Sequence, residues 1–352
     1  MKILVRIIQS TGVLIGIVVL AGIGLFIATA GDHSVPDMVA TDATIPHIEI
    51  DGVVFHAETF GDPQNPVVVV VHGGPGGNYG YLLNLHQLEN DYFVVFYDQR
   101  GTGLSPRVDA SELSLESSIA DLHRIVTHYG QGESVHLVGH SWGAMLAAGY
   151  IGEHPEWVEK AVLAEPGELT DASLKEFRER QSASQDFEFY RVLLPTIFET
   201  FHIEPQDADA LTDYIGLRMA MAFVGSSDAG YLCAEEPVGA VEPDVRVPPS
   251  RFGATAFNAI FGASADFSRI EVNAPNYTDE VLFIAAECST STGEELQRAQ
   301  MTMFPQARLV VIPNAGHNMI SDNPAASLSA IREYLETHNN PSKRDTVIGA
   351  PS

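Results

Sequence analysis

Gly139-His140-Ser141-Trp142-Gly143 sets a serine in the pattern G-x-S-x-G. A serine hydroxyl is a poor nucleophile and attacks a carbonyl carbon only when a base within hydrogen-bond reach takes its proton. Among the 13 histidines, His317 is the candidate base. It stands in the small-residue loop Asn314-Ala315-Gly316-His317-Asn318 just after the last strand, where a chain ordered serine, acid, histidine puts its base. His140, inside the motif, reads as a structural or pocket-lining residue. The third member is a carboxylate that orients the imidazole and stabilises its charged form. It commonly follows the strand before the histidine's own, and there an aspartate is expected where Ser289 stands. Three carboxylates remain. Glu165 ends the strand after the nucleophile's helix and precedes Pro166-Gly167; it is the preferred acid. Glu287 and Glu294, in the loop around Ser289, are the alternatives, and chain order does not separate them.

An attacked carbonyl also needs backbone N–H groups aimed at its developing negative charge. Trp142, directly after the serine, is one candidate donor. The other is Gly74 in His72-Gly73-Gly74-Pro75-Gly76-Gly77, which follows a run of five valines. A phosphate-cradling loop would read GxxxxGK[ST], and that pattern is absent. No cofactor and no metal are expected. Cys233 and Cys288 are the two cysteines; they make neither a CxxC metal pair nor a disulfide framework, and whether they pair is left open.

These groups need a scaffold that brings strand ends together. Residues 134–138 read as a buried strand entering the serine turn, and 144–151 as the helix leaving it. That setting strains the turn so that the serine oxygen points into open space. Strands are further expected at 48–50 and 53–59 around an Asp51-Gly52 hairpin turn, and at 67–71, 92–97, 161–164, 281–285 and 308–312. Helical spacing covers 115–129, where Ile119, Leu122, Ile125, Val126 and Tyr129 share a face, as well as 294–303 and 325–337. Strands alternating with helices imply a mostly parallel sheet covered on both faces. Between 168 and 276 the rhythm turns helical, which reads as a cap inserted over the sheet edge where ligands bind. The expected organisation is a hydrolase core split into two stretches, 46–167 and 277–338, with the cap at 168–276 between them and a loose tail at 339–352.

The first 30 residues are set apart from this fold. Lys2 and Arg6 precede an uncharged run from Ile7 to Ala30, and Ala28-Thr29-Ala30 offers a cleavage signature. The segment is a signal peptide or an N-terminal membrane anchor, with the body exported to a periplasmic or extracellular side or tethered to the membrane. Residues 31–45 read as a tether. The body carries an acidic excess, 46 Asp and Glu against 19 Lys and Arg over the whole chain. Such a surface repels phosphate backbones, so nucleic acid is not an expected partner.

Three motifs in order, His72-Gly-Gly-Pro-Gly76, Asp98-Gln-Arg-Gly-Thr-Gly-Leu-Ser105 and Gly139-His-Ser-Trp-Gly143, resemble the proline iminopeptidase branch of the α/β-hydrolases. The resemblance covers 46–166 well and 278–337 fairly. It implies an α/β-hydrolase fold with Ser141 as nucleophile, His317 as base, Gly74 and Trp142 as oxyanion donors, and Asp98 to Ser105 as a structural loop. It also implies an aminopeptidase acting on short peptides or amides, with acidic cap residues holding the substrate ammonium; Glu235 and Glu236 are candidates, although acidic runs more often face water. The sequence departs from the pattern at Ser289 and at His140, where many of these peptidases carry glycine. An esterase on small esters is the alternative, and a silent binding protein on the same fold a third. Serine at the nucleophile position argues against the dehalogenase and epoxide hydrolase branches, which carry aspartate there.

Overall fold

The computed structural model describes residues 2–31, 33–183, 187–204, 208–225, 229–233, 251–262 and 265–337. In chain order the strands are β1 (His33–Ser34), β2 (His47–Ile50), β3 (Val53–Phe60), β4 (Val67–Val71), β5 (Phe93–Tyr97), β6 (Val135–His140), β7 (Val158–Ala164), β8 (Ile203–Glu204), β9 (Val281–Ala286) and β10 (Ala307–Ile312). The helices are α1 (Lys2–Ala28), α2 (Leu115–Gly130), α3 (Trp142–Glu153), α4 (Asp171–Ala183), α5 (Phe187–Glu199), α6 (Ala208–Val224), α7 (Ala254–Phe261), α8 (Ser268–Asn273), α9 (Glu294–Met301), α10 (Met319–Asp322) and α11 (Pro324–Glu336).

Eight strands form one sheet in the order β10-β9-β7-β6-β4-β5-β3-β2. The neighbours from β10 to β5 are parallel, while β3 and β2 add an antiparallel edge. The β2–β3 hairpin turns on Asp51 and Gly52, both at positive φ, as a two-residue turn matched to strand twist requires. In β4 the alternation of a strand splits the valines: Val69 and Val71 pack with α2 and α3 on one face, Val68 and Val70 with α11 on the other. Ser114 caps α2 with a reciprocal Ser117 bond, and Ile119, Leu122, Ile125 and Val126 bury the helix face.

Chain order places the site. From β4 the chain goes to β5 on one side and then to β6 on the other, so a crevice opens at the carboxyl ends of β4 and β6. The segment between β7 and β9 supplies α4 to α8, with only the short β8 among its described residues. The segment read as a tether is docked. β1 pairs in parallel with β8, Val35 and Val39 are buried, and Arg251 Nε donates to the Pro36 carbonyl at 2.7 Å. Val35 finds an apolar seat with Ile203, Ala210 and Tyr214, which composition alone does not reveal. The tail lies outside the described residues.

Candidate active site

Ser141 joins β6 to α3 at φ 56°, ψ −123°. A non-glycine residue rarely adopts this backbone, and its neighbours hold it there. The Ser141 N–H donates to the Ala164 carbonyl at 2.9 Å, extending the β6–β7 ladder into the turn. A side chain at Gly143 would start 2.0 Å from the Val71 carbonyl oxygen, so only glycine lets α3 approach β4 this closely.

Glu165 ends β7, also at positive φ (38°), and its N–H donates to the Ile284 carbonyl at 2.8 Å. Its carboxylate is fully buried. Oε1 accepts the Ala286 N–H at 2.7 Å, and Oε2 accepts the Thr292 hydroxyl at 2.8 Å. Oε2 also lies 2.7 Å from His317 Nδ1. His317 Nε2 lies 3.0 Å from Ser141 Oγ. A carboxylate only accepts, so Nδ1 carries the proton and Nε2 offers its lone pair to the serine hydroxyl. Serine, imidazole and carboxylate therefore form one continuous chain of hydrogen bonds.

Neither alternative acid reaches His317. Glu287, at the end of β9, turns outward and accepts the Asn314 N–H at 2.8 Å. Glu294 opens α9 and pairs with Arg298 one turn on, at 2.6 Å. Ser289 meets the Thr292 hydroxyl at 3.2 Å. The loop in which an acid is expected supplies hydroxyls instead, and Thr292 Oγ1 stands 3.0 Å from His317 Nδ1. Glu235 and Glu236 lie outside the described residues.

On the β4 side, the Gly73 N–H donates to the Tyr81 hydroxyl at 2.8 Å. That hydroxyl lies 2.7 Å from His140 Nδ1, and His140 Nε2 donates to the His317 carbonyl at 2.7 Å. Because a carbonyl only accepts, the Nε2 of His140 must carry the proton and Tyr81 must donate to Nδ1. His140 is thus held neutral. Burial, with the neighbouring His317, pushes its pKa down to about 3. Among the described residues neither the Gly74 N–H (φ 42°) nor the Trp142 N–H has a hydrogen-bond partner. Trp142 is the first residue of α3, where helical geometry leaves an N–H unused. The two loops are locked together through Gln99, which donates to the His72 carbonyl (2.8 Å) and accepts the Trp142 indole N–H (2.9 Å). Asp98 is structural: it accepts from His56, Tyr79 and Leu104.

The inserted segment closes over this edge with aromatic side chains. The Tyr231 ring lies 4.9 Å from that of His317 and its carbonyl accepts the His317 N–H at 2.7 Å. Phe223 of α6 meets Tyr231, and Phe261 of α7 meets Trp142. A disulfide, Cys233–Cys288, ties this segment to the loop after β9. Tyr231, Tyr81 and Thr292 escape sequence reasoning because each belongs to a segment with no motif of its own and arrives through long-range packing. Gln99 carries a signal, its place in the Asp98–Ser105 motif.

Residues 66–324 match the family model described as the alpha/beta hydrolase fold. A proline iminopeptidase of Lactiplantibacillus plantarum is 24% identical over 285 residues, 77% of this chain and 92% of the relative. Epoxide hydrolase 3 of Xenopus tropicalis is 25% identical over 294 residues, 81% of this chain and 75% of the relative. Among solved structures, a proline iminopeptidase of Mycobacterium smegmatis superposes with a TM-score of 0.57 at 18% identity, covering 82% of this chain and 96% of that one. With the family model spanning most of the chain, the protein belongs to the α/β-hydrolase fold family and is a hydrolase.

Proposed function

We propose that the protein is a serine hydrolase that works through an acyl-enzyme, with Ser141 as nucleophile, His317 as base and Glu165 as the orienting acid. The observation that carries this is the 3.0 Å approach of His317 Nε2 to Ser141 Oγ, with Glu165 at 2.7 Å behind it. Ser141 Oγ attacks the substrate carbonyl while His317 takes its proton. The tetrahedral oxyanion is received by the Gly74 and Trp142 N–H groups, since Tyr81 already occupies that of Gly73. His317 then protonates the leaving amine or alcohol. Water, deprotonated by the same imidazole, releases the acid and restores Ser141.

For substrate, the likeness to proline iminopeptidases supports a free-amino-terminal peptide or amide. The aromatic rings around His317 and Trp142 support small apolar acyl esters as the second reading. Proline-, alanine- and leucine-anilides assayed beside short acyl esters, with Ser141→Ala as control, separate the two. Anilide turnover lost in the variant supports the peptidase; ester turnover alone rejects it. No turnover of either, with no labelling by a fluorophosphonate, overturns the serine hydrolase reading itself.

The body is proposed to be exported and held to a membrane by α1. Ser10–Ala28 is 19 residues long with mean hydropathy 2.6 and stands clear of the core. The Cys233–Cys288 disulfide suits an oxidising compartment. A mature protein that begins at Gly31 would rule out the anchor.

A further inference from the structure

Apart from α1 and the single residue Val272, the exposed large apolar side chains among the described residues fall on one stretch: Tyr190, Leu194, Ile197 and Phe201. Spacings of four, three and four residues put them on one face of α5 and of the turn that follows it. Their exposures run from 39% to 60%, which is costly for side chains of this size in water.

This face adjoins the apolar span. The Phe198 ring packs against Gly22, 3.9 Å from where a side chain there would begin. One turn on, Phe26 meets the rings of Phe201 (6.4 Å) and His202 (4.4 Å). His202 Nε2 donates to the Phe26 carbonyl at 2.8 Å. The pairing of β1 with β8 then ties the chain just past the span to the end of the same turn. Gly22 precedes Ala28, the end of the span, by about 9 Å of helix at 1.5 Å per residue. If Ser10–Ala28 crosses a bilayer, Phe198 lies at a depth where the surroundings are lipid.

We propose that the Tyr190–Leu194–Ile197–Phe201 face is inserted in the leaflet on the body's side of a lipid bilayer, seating the inserted helices on the membrane surface. The inference rests on the reading of α1 as an uncleaved anchor. Insertion is apolar and not electrostatic, because a net charge of −27 gives the protein no attraction to anionic headgroups. On its other side α5 packs along α6, whose Phe223 meets Tyr231 beside His317. The helix that touches lipid is thus linked through α6 and Tyr231 to the proposed base.

The test uses the full chain reconstituted in phosphatidylcholine vesicles whose acyl chains are brominated. Leu194→Trp places a fluorophore on the face, and Val272→Trp places one on the exposed side of α8; emission from Trp142 and Trp157 is subtracted with the unsubstituted chain. Flotation after an alkaline carbonate wash reports the anchor separately. The expected result is flotation of all three chains, with the emission added by L194W largely quenched and that added by V272W retained. A chain that floats while L194W stays unquenched, whether the face meets water or a second copy, overturns the docking and leaves the anchor standing. Equal quenching at both positions also overturns it. A chain that does not float overturns the anchor and the docking with it. Should L194W lose fluorophosphonate labelling through misfolding, Ile197→Trp gives the same reading.

Discussion

A carboxylate sealed from solvent must find donors for both oxygens, and Glu165 has three: the Ala286 N–H, the Thr292 hydroxyl and His317 Nδ1. Glu165→Gln keeps the shape but lets the side chain donate, which favours the wrong imidazole tautomer. Turnover should fall about 10³–10⁴-fold, with KM changed little. Thr292→Val removes one donor and leaves the charge, so a loss on the order of tenfold is expected. Steady-state kinetics on the best substrate of the panel checks both, and wild-type rates in the glutamine variant would discard Glu165 as the acid. Ser141 and His317 are readable from sequence because their signals are local: a serine turn between strand and helix, and a histidine in a small-residue loop after a strand. The choice among Glu165, Glu287 and Glu294 is not local. It depends on which strand ends stand side by side, and only the order β7-β9-β10 answers it.

At the scale of elements, the core is legible because its signals repeat. Five β-branched valines in a short run favour a buried strand, Asp51-Gly52 favours a tight hairpin turn, and the 3.6-residue spacing of α2 marks one apolar helix face. The inserted helices carry less. Which aromatic ring meets His317 is decided by how α4 to α7 pack on one another, and the docking of residues 33–39 depends on a partner far along the chain. The Cys233–Cys288 disulfide fastens the Tyr231 segment to the loop after β9 across a separation of 55 residues. Cys233→Ser with Cys288→Ser should lower stability by about 4 kcal/mol if the constraint acts through chain entropy. For a chain of 352 residues that is a fall in Tm of roughly 5 to 6 °C. Calorimetry on oxidised wild type and the double variant checks it; equal Tm values would mean that packing alone holds the segment.

For the molecule as a whole, acid should be the weak flank. Burial lowers the pKa of His72, brings His136 to about 4 and, with the neighbouring His317, brings His140 to about 3. The folded state holds these rings neutral, whereas the unfolded chain protonates them below about pH 6.5. At these three rings the unfolded state therefore binds more protons in this window, and the stability they supply above pH 6.5 is lost as the pH falls toward 4 and 3, offset in part by Asp213, whose pKa burial raises to about 6. His140 alone accounts for about 2 kcal/mol between pH 7 and pH 5. Tm measured across that range should drop, and His140→Gln should flatten part of the slope; an unchanged slope in the variant would remove His140 from the account. The ladder that runs through Ser141 and Glu165 has a different consequence. Both residues bond to neighbouring strands through their own N–H groups, so they are the last rungs of the sheet as well as members of the site. Their separation cannot drift while the sheet stays closed. Heat should then act on this enzyme in two stages: first on what the inserted helices admit to the site, and only with the melting of the sheet on the attack itself.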